Sequence, residues 1–263
     1  MALSPQSPLL RSHEQPAFEI HNGAGKSPVV LVCDHADNAI PKTLDQLGLE
    51  AEKLQTHIAI DLGAAALSRA LANILDSRLV LAKFSRLVID LNRPLADPTL
   101  IPEISDGVPI PGNVSLRSED RQQRIEEVFN PYHEAIAQEL LEIEAAQNRA
   151  AVVAIHSFTP SMAGFDRPWH IGTLWTEDQR MSKPLIKSLS QDKTLCVGDN
   201  QPYDARKHVG YTVEQHGGAR DLPHVLIEVR QDLLTEADQI ERWATLISRH
   251  LTPILRELDL MPH

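Results

Sequence analysis

The stretch Ala151-Val-Val-Ala-Ile-His-Ser157 decides the predicted fold, because it is an apolar run that stops at a histidine and a serine. A short apolar run with β-branched residues is typical of a strand that is buried on both faces, as in a parallel sheet. Ligands of open α/β sheets bind beyond the carboxyl ends of the strands. His156 and Ser157 are therefore candidate site residues.

Other apolar runs end in the same way. Residues 28–33 stop at Asp34 and His35, residues 87–91 stop at Asn92 and Arg93, and residues 225–227 stop at Glu228. Parallel strands bring their carboxyl ends to one edge of the sheet, where ligands bind. These runs therefore predict one site, built from several segments of the chain.

Helical patterns separate the apolar runs. Residues 61–75 are rich in Ala and Leu, residues 118–148 form a long charged stretch that Pro131 should kink or divide, and residues 236–255 are amphipathic. Strands that alternate with helices predict a three-layer α/β fold, in which a mostly parallel central sheet has helices on both faces.

The remaining segments are predicted to be irregular. Residues 94–113 carry five prolines, and residues 199–221 are polar, so we expect two long loops, the second around a short strand. Loops of this length inside a compact domain are usually functional or disordered. Residues 1–26 are interrupted by Pro and Gly and predict an irregular arm, followed by a single domain over residues 27–263.

Composition excludes several classes of function. A net charge of −11 argues against a nucleic-acid partner, which would require clustered Lys and Arg. No apolar run is long enough to span a bilayer, and the first residues lack the pattern of a secretory signal. Cys33 and Cys196 are too few for a disulfide framework. We therefore expect a cytoplasmic protein that acts on a small molecule, without a membrane partner.

The strand-end histidines, His35 and His156, suggest a zinc site. Neutral imidazole is a preferred zinc ligand, and catalytic zinc sites combine three protein ligands with an open position. A single histidine of this kind is more often structural, but two of them with Glu228 on a third strand favour a metal site. An ionised Glu228 in an apolar strand is unfavourable unless it is paired, for example with Arg230, or functional as a general base.

Asn92 and Arg93 form a candidate carboxylate-binding element. A guanidinium binds a carboxylate through two parallel hydrogen bonds, and a neighbouring amide can complete the contact. The alternative is a salt bridge from Arg93 to Asp90 or to the acidic surface. Asn92 and Arg93, considered without the rest of the chain, do not decide between carboxylate binding and a salt bridge.

Together these segments resemble the N-formylglutamate amidohydrolase family, which is related to zinc carboxypeptidases and aspartoacylases. CDHADNAIP at residues 33–41 resembles the first metal motif, FSRLVIDLNRP at residues 84–94 the arginine motif, and His156-Ser157 the second histidine motif, with further matches at Gly172-Thr173 and Glu228. The resemblance covers residues 28 to 255. It implies a zinc-carboxypeptidase-like fold, one divalent ion, and cleavage of an N-acyl acidic amino acid such as N-formyl-L-glutamate to formate and glutamate.

The resemblance also implies a role for each matching residue. His35 and His156 would be zinc ligands, and Glu228 would be the general base. Asn92 and Arg93 would hold the α-carboxylate of the substrate. Arg86 would polarise the scissile carbonyl or bind a second carboxylate, and Ser157 would shape the substrate pocket.

The third metal ligand is open at this point. In the related zinc carboxypeptidases and aspartoacylases, the first metal motif is His-x-x-Glu. This chain departs from that pattern, because the corresponding residues are His35-Ala-Asp-Asn38. Asp61, at a predicted helix start, is the first candidate. Asp37, Asn38 and His57 are the alternatives, and a weak third ligand would imply either a lower affinity for the metal or a different metal.

Other functions compete with this interpretation. Cys33 lies two residues before His35 and is a candidate nucleophile, although buried structural cysteines are common. The substrate would alternatively be another N-acyl amino acid or a short peptide. A non-catalytic carboxylate-binding protein that has kept the fold is a further possibility, which the altered motif after His35 would favour.

Overall fold

A seven-stranded sheet forms the centre of the computed structural model, which describes residues 8–11, 14–207 and 210–261. The strands are β1 (Phe18–His21), β2 (Val29–Cys33), β3 (Arg78–Ala82), β4 (Ile104–Ser105), β5 (Val108–Pro109), β6 (Ala151–Phe158), β7 (Ser161–Met162), β8 (Phe165–Asp166), β9 (Ile171–Leu174), β10 (Val197–Asp199) and β11 (His224–Arg230). The order in the central sheet is β1-β3-β2-β6-β11-β9-β10, while β4–β5 and β7–β8 are separate hairpins.

Helices connect most of these strands. They are α1 (Ala51–Leu54), α2 (Ala64–Leu75), α3 (Ser118–Arg124), α4 (Asn130–Gln147), α5 (Ser182–Leu189), α6 (Tyr211–His216) and α7 (Ala237–Glu257). A π-helical turn, Ile125–Phe129, joins α3 to α4. Pro131 follows it in α4, so the α-helical pattern is interrupted directly before the residue that has no N–H to donate. In the described part of the chain, no helix combines the length and the apolar character that crossing a bilayer requires.

Helices cover both faces of the sheet. On one face, α2, α5 and α7 pack against strand residues such as Leu31 and Val153. On the other face, α4 and α6 pack against the residues that alternate with them, including Val152 and Leu226. All eight residues of β6 are buried, as a strand between two helical layers requires. The predicted three-layer α/β fold is confirmed.

The direction of the strands decides where the site can form. The neighbours β3, β2, β6 and β11 run parallel. β1 pairs antiparallel with β3, and β9 pairs antiparallel with β11 but parallel with β10. The carboxyl ends of β2, β6 and β11 therefore meet at one edge of the sheet. This edge carries His35, His156 and Glu228.

Some local predictions differ from the structure. The arm over residues 1–26 is not irregular throughout, because β1 pairs with β3 and satisfies backbone groups of that edge; residues 1–7, 12 and 13 lie outside the described residues. Residues 87–91 are not a strand but a series of turns, in which the Val88 N–H donates to the carbonyl of Ser85. Their apolar side chains are buried in the core although the backbone is not extended. Apolar character alone is therefore not sufficient to predict a strand.

The two predicted loops also contain regular structure. Residues 94–113 include the β4–β5 hairpin and a 3₁₀ turn at Pro111–Asn113. Residues 199–221 contain α6 where a short strand was predicted, with 3₁₀ turns at Ala205–Lys207 and Gly218–Arg220; residues 208 and 209 lie outside the described residues. Further 3₁₀ segments are Lys42–Gly48, which includes left-handed residues, and Gln231–Leu233. Short apolar segments do not distinguish a buried helix from a strand by periodicity.

Gly172 allows a close approach of the chain beside Glu228. Gly172 lies opposite Glu228 in the register of β9 and β11. A Cβ at Gly172 would lie 1.9 Å from the carbonyl oxygen of Gln201, so the segment after β10 passes directly over this glycine. The same segment continues into Tyr203, a residue of the site.

We predict that Gly172→Ala lowers the free energy of unfolding by about 1–3 kcal/mol, because the backbone at Gln201 must move to admit the methyl group. Urea denaturation monitored by circular dichroism measures the change. The matched control is Gly23→Ala, where the nearest atom to the new Cβ, Ile20 Cγ2, is 3.4 Å away. Equal stabilities of the two variants would contradict the close approach.

Candidate active site

Two histidines and one aspartate converge at the carboxyl edge of the sheet. Asp61 Oδ2 lies 2.8 Å from Nδ1 of His156 and 3.3 Å from Nδ1 of His35. All three side chains are buried, and one ligand atom from each lies within 4.8 Å of the others. This His35–Asp61–His156 group has the donor types of a metal site.

The three residues come from different elements that are held in register. His35 follows β2, His156 belongs to β6, and Asp61 precedes α2. The Asp61 N–H donates to the His35 carbonyl at 3.1 Å, which fixes the start of the helix next to the strand end. The Ser157 N–H also points to Asp61 Oδ2, at 3.4 Å.

Two further carboxylates orient the imidazoles. Nε2 of His35 lies 2.8 Å from Asp90 Oδ1, and Nε2 of His156 lies 3.0 Å from Asp34 Oδ2. Metal-ligating histidines commonly hold their second nitrogen against a carboxylate in this way, which fixes the tautomer and the ring. Nδ1 of His35 and Nδ1 of His156 therefore both face Asp61 Oδ2, between the two rings.

Asp34 is itself held in place by hydroxyl groups. Its Oδ1 accepts hydrogen bonds from Tyr132 Oη at 2.8 Å and from Thr212 Oγ1 at 2.9 Å. Asp34 is 1% exposed, so these bonds, with the bond to His156, satisfy a carboxylate that water does not reach. The orientation of His156 thus depends on residues from α4 and α6.

The electrostatics of the group call for positive charge. Burial alone would lower the pKa of His156, but hydrogen bonds to Asp34 and Asp61 outweigh it and raise that pKa well above its ordinary value. Burial opposes ionisation of Asp61, yet the charge of His35 and the bond to His156 hold the pKa of Asp61 far below its ordinary value. Both shifts favour anionic carboxylates around a cationic centre.

The hydrogen-bond pattern fits a metal ion. With Nε2 donating to an ionised carboxylate, a neutral ring presents the lone pair of Nδ1 to Asp61 Oδ2. Lone pair and carboxylate repel each other unless a cation lies between them, either a second proton on the ring or a metal ion. Two imidazole nitrogens and one carboxylate oxygen are the ligand set of several catalytic zinc sites.

A cavity of about 280 Å³ opens onto this group. Its wall includes the leading site candidates from the sequence, namely His35, Asp61, Arg86, Asn92, Arg93, His156, Ser157 and Glu228. The structure therefore brings the predicted residues to one place. It does not assign their chemical roles, which remain predictions.

Glu228 lies beside the metal-site group. It is the register partner of His156 on the neighbouring strand and is 4% exposed. Burial raises the pKa of Glu228 to about 7. Oε2 of Glu228 is buried without a hydrogen-bond partner among the described residues, and Arg230 pairs with Asp232. Glu228 is thus a buried carboxyl group aimed at the cavity and not half of an ion pair with Arg230.

The arginine motif lines another part of the wall. Nη2 of Arg86 donates to Asp90 Oδ2 at 2.8 Å, and its Nη1 lies 3.4 Å from Asp61 Oδ1. The Thr212 N–H donates to Asn92 Oδ1 at 3.1 Å, which leaves the side-chain NH₂ of Asn92 as a donor for a ligand. The carboxylate of Asp90 therefore pairs with Arg86. Burial opposes its ionisation, but the charge of Arg86, with a smaller contribution from Arg93, holds the pKa of Asp90 well below its ordinary value.

The alternatives for the third metal ligand, which were Asp37, Asn38 and His57, are bonded to other residues. Asp37 pairs with Lys83 at 3.0 Å, and the side-chain amide of Asn38 donates to the Leu54 carbonyl. His57 lines the cavity but pairs with Asp106 of the β4–β5 turn at 3.0 Å. The geometry favours Asp61.

Cys33 does not line the cavity. Its side chain lies in the apolar core formed with α2, α5 and α7, and it is fully buried. Burial raises the pKa of the Cys33 thiol far above its ordinary value, so the thiolate that a nucleophile requires is disfavoured. The geometry therefore argues against a cysteine nucleophile.

Several residues of the site were not indicated by the sequence. Asp34 and Asp90 adjoin candidate residues, so their positions at strand and turn ends were the available signal. Tyr203 and Thr212 carried no signal, because they reach the site from a segment far along the chain. Their roles follow only from tertiary contacts.

Similar structures have been determined. A gene product of Agrobacterium tumefaciens is 33% identical, with a TM-score of 0.92 over 95% of this chain and 99% of that chain. An N-formylglutamate amidohydrolase from Ralstonia eutropha is 20% identical, with a TM-score of 0.64 over 93% of this chain and 97% of that chain, and shows the same fold. Among curated proteins, none matches this chain.

The N-formylglutamate amidohydrolase family model matches residues 27–235. These residues include the metal-site group, the arginine motif and Glu228. The resemblance drawn from the sequence motifs is confirmed. The chain therefore belongs to the N-formylglutamate amidohydrolase family and is a hydrolase of amide bonds.

Proposed function

We propose that the protein is a zinc-dependent amidohydrolase that cleaves the N-acyl amide of an acidic amino acid, with N-formyl-L-glutamate as substrate and formate and glutamate as products. The observation that carries the proposal is the His35–Asp61–His156 group, with the unpaired carboxyl group of Glu228 in the same cavity. Family membership supports the same reaction.

The ligand set supports zinc. His35, Asp61 and His156 would hold one divalent ion, and Asp34 and Asp90 would orient the two imidazoles. A bound zinc ion supplies Lewis acidity to the scissile carbonyl and lowers the pKa of a water molecule to about 7. The remaining chemistry depends on protein side chains.

Glu228 is suited to move a proton. Its pKa of about 7 lets it accept a proton from the attacking water near neutral pH and then donate it. As water attacks the acyl carbon, Glu228 takes one proton. Glu228 then returns this proton to the amide nitrogen, the C–N bond breaks, and the acid and the free amino group leave.

The arginine motif is suited to bind and orient the substrate. Arg93 and the NH₂ group of Asn92 would hold the α-carboxylate. Arg86 is already paired with Asp61 and Asp90, so polarising the scissile carbonyl fits it better than binding a second full carboxylate. The Ser157 hydroxyl donates to the Leu62 carbonyl at 2.7 Å, which fixes it as part of the pocket wall.

The location that we propose is the cytoplasm. Both cysteines are free, Cys33 in the core and Cys196 partly buried. A reducing compartment is compatible with free thiols.

We predict that zinc-loaded protein releases formate from N-formyl-L-glutamate and that a chelator abolishes the release. The reason is that activation of the attacking water is assigned to the ion that His35, Asp61 and His156 would hold. Formate is measured by a coupled dehydrogenase assay, and re-addition of zinc restores the rate. If metal-free protein released formate at an unchanged rate, metal dependence would be contradicted. If the protein hydrolysed only another N-acyl amino acid, N-formyl-L-glutamate would not be the substrate.

We predict that Glu228→Gln lowers the rate of formate release by about 10²- to 10⁴-fold, because the amide cannot accept the proton. Elemental analysis should find the same zinc content in the variant and in the wild type, since Glu228 is not in the metal-site group.

The matched control for this substitution is Glu214→Gln. Glu214 is a partly buried residue of α6 outside the cavity wall, bonded to Thr176. Its substitution should leave turnover near the wild-type rate. Near-wild-type turnover of Glu228→Gln with zinc in place would exclude Glu228 as the general base.

A further inference from the structure

Arg167 is a buried cation with neutral partners. It follows β8, is 7% exposed, and within the described part of the chain no carboxylate forms an ion pair with it. A buried charge without an opposite charge is unfavourable, and such charges are normally paired. The missing partner is the feature that needs an explanation.

The neighbours of Arg167 are residues of the cavity wall. Its Nη1 donates to the Thr159 carbonyl at 3.4 Å and to Tyr203 Oη at 3.1 Å, while Nη2 lies 2.8 Å from the weak acceptor Met162 Sδ. Its guanidinium carbon lies 4.8 Å from the ring centroid of Tyr203 and 5.9 Å from that of Phe158. Each of these four neighbours lines the cavity, so Arg167 lies directly behind the wall.

The hydrogen bond from Arg167 orients the hydroxyl group of Tyr203. Since Tyr203 Oη accepts this bond, its own proton is available for another acceptor. No described residue accepts that proton, although Tyr203 lines the cavity. The phenol is therefore a donor that can point into the substrate space, with a positive charge behind it.

The charges of the cavity wall indicate which kind of ligand group the phenol of Tyr203 could bind. The wall carries the acidic residues Asp61, Asp90, Asp106 and Glu228. Arg86 is neutralised by Asp61 and Asp90. If Arg93 holds the α-carboxylate of the substrate, a second carboxylate needs another cation, and Arg167 is a cation that no acidic side chain has neutralised.

We propose that Arg167 and Tyr203 form an anion-binding pair that selects substrates whose amino-acid side chain ends in a carboxylate. Tyr203 donates a hydrogen bond to that carboxylate. Arg167 is a positioning residue, which supplies the positive charge and directs the phenol proton away from itself. This inference rests on the proposed function for the identity of the substrate.

The test compares N-formyl-L-glutamate with N-formyl-L-glutamine, which differ only in the charged end of the side chain. Formate release gives kcat and KM for each, and titration calorimetry gives the Kd of the products L-glutamate and L-glutamine. Wild-type protein is compared with Arg167→Met, Arg167→Lys and Tyr203→Phe. Arg180→Met is the matched control, because Arg180 pairs with Asp178 and Asp221 outside the cavity wall.

Arg167→Met should lower kcat/KM for the glutamate substrate roughly 10- to 100-fold, mainly through KM, as expected for loss of a hydrogen bond to a charged group. The same variant should leave the glutamine substrate nearly unchanged, so the preference disappears. Arg167→Lys should retain part of the preference, and Tyr203→Phe should lose part of it with the ring still in place. Arg180→Met should behave as the wild type.

The outcomes separate this inference from the proposed reaction. If the wild type releases formate but Arg167→Met affects both substrates equally or neither, the selecting role is overturned and the reaction stands. If no formate is released but the preference for L-glutamate in binding disappears in Arg167→Met, the pair stands and the reaction fails. Wild-type preference in Tyr203→Phe would overturn the role of the tyrosine, and no preference of the wild type in either assay would overturn the pair.

Discussion

The structure of the site depends on one carboxylate shared by two buried imidazoles. Asp61 Oδ2 faces Nδ1 of both His35 and His156, and each ring has a second carboxylate at its other nitrogen. Acidic groups on both sides of buried rings are stable together only if positive charge lies among them. Because water does not reach these side chains, the charge must come from Arg86, which pairs with Asp61 and Asp90, together with protons or a metal ion. The group therefore combines the donor types and the need for positive charge that a metal ion can satisfy.

The sheet explains how such a group can be assembled from distant segments. Parallel neighbours bring the ends of β2, β6 and β11 to one edge, and the register places Glu228 directly beside His156. On the other side of Glu228, the missing side chain of Gly172 lets the chain at Gln201 cross the sheet. That crossing brings Tyr203 to the cavity, where its hydroxyl group accepts a hydrogen bond from Arg167. The residues to which we assign catalysis and substrate selection therefore meet at one edge of the sheet, although they come from separate segments of the chain.

The sequence predicted the layers of the fold and the convergence of site residues for a physical reason. A strand that is buried on both faces must be apolar throughout, so the first polar residue after it marks the sheet edge. This rule found His35 and Glu228. It also found Asn92 and Arg93, although residues 87–91 form turns and not a strand.

Other features were beyond such a rule. The helix α6 and the strand β1 are short elements whose form is decided by tertiary partners. Thr212 bonds to Asp34 across 178 residues, and nothing in the local sequence of either residue indicates that contact. Arg167 lies in a stretch with no periodic pattern, and its interest arises from what surrounds it in space.

The most direct test of the central claim is a crystal structure of the zinc-loaded protein, with anomalous diffraction recorded on both sides of the zinc absorption edge. We expect one zinc peak that contacts Nδ1 of His35, Nδ1 of His156 and a carboxylate oxygen of Asp61, at the roughly 2.0–2.2 Å typical of such ligands. Zinc bound elsewhere, with Asp61 still in hydrogen-bond contact with both rings, would contradict the claim. It would show that protons and Arg86 balance the charge of the group without a metal ion.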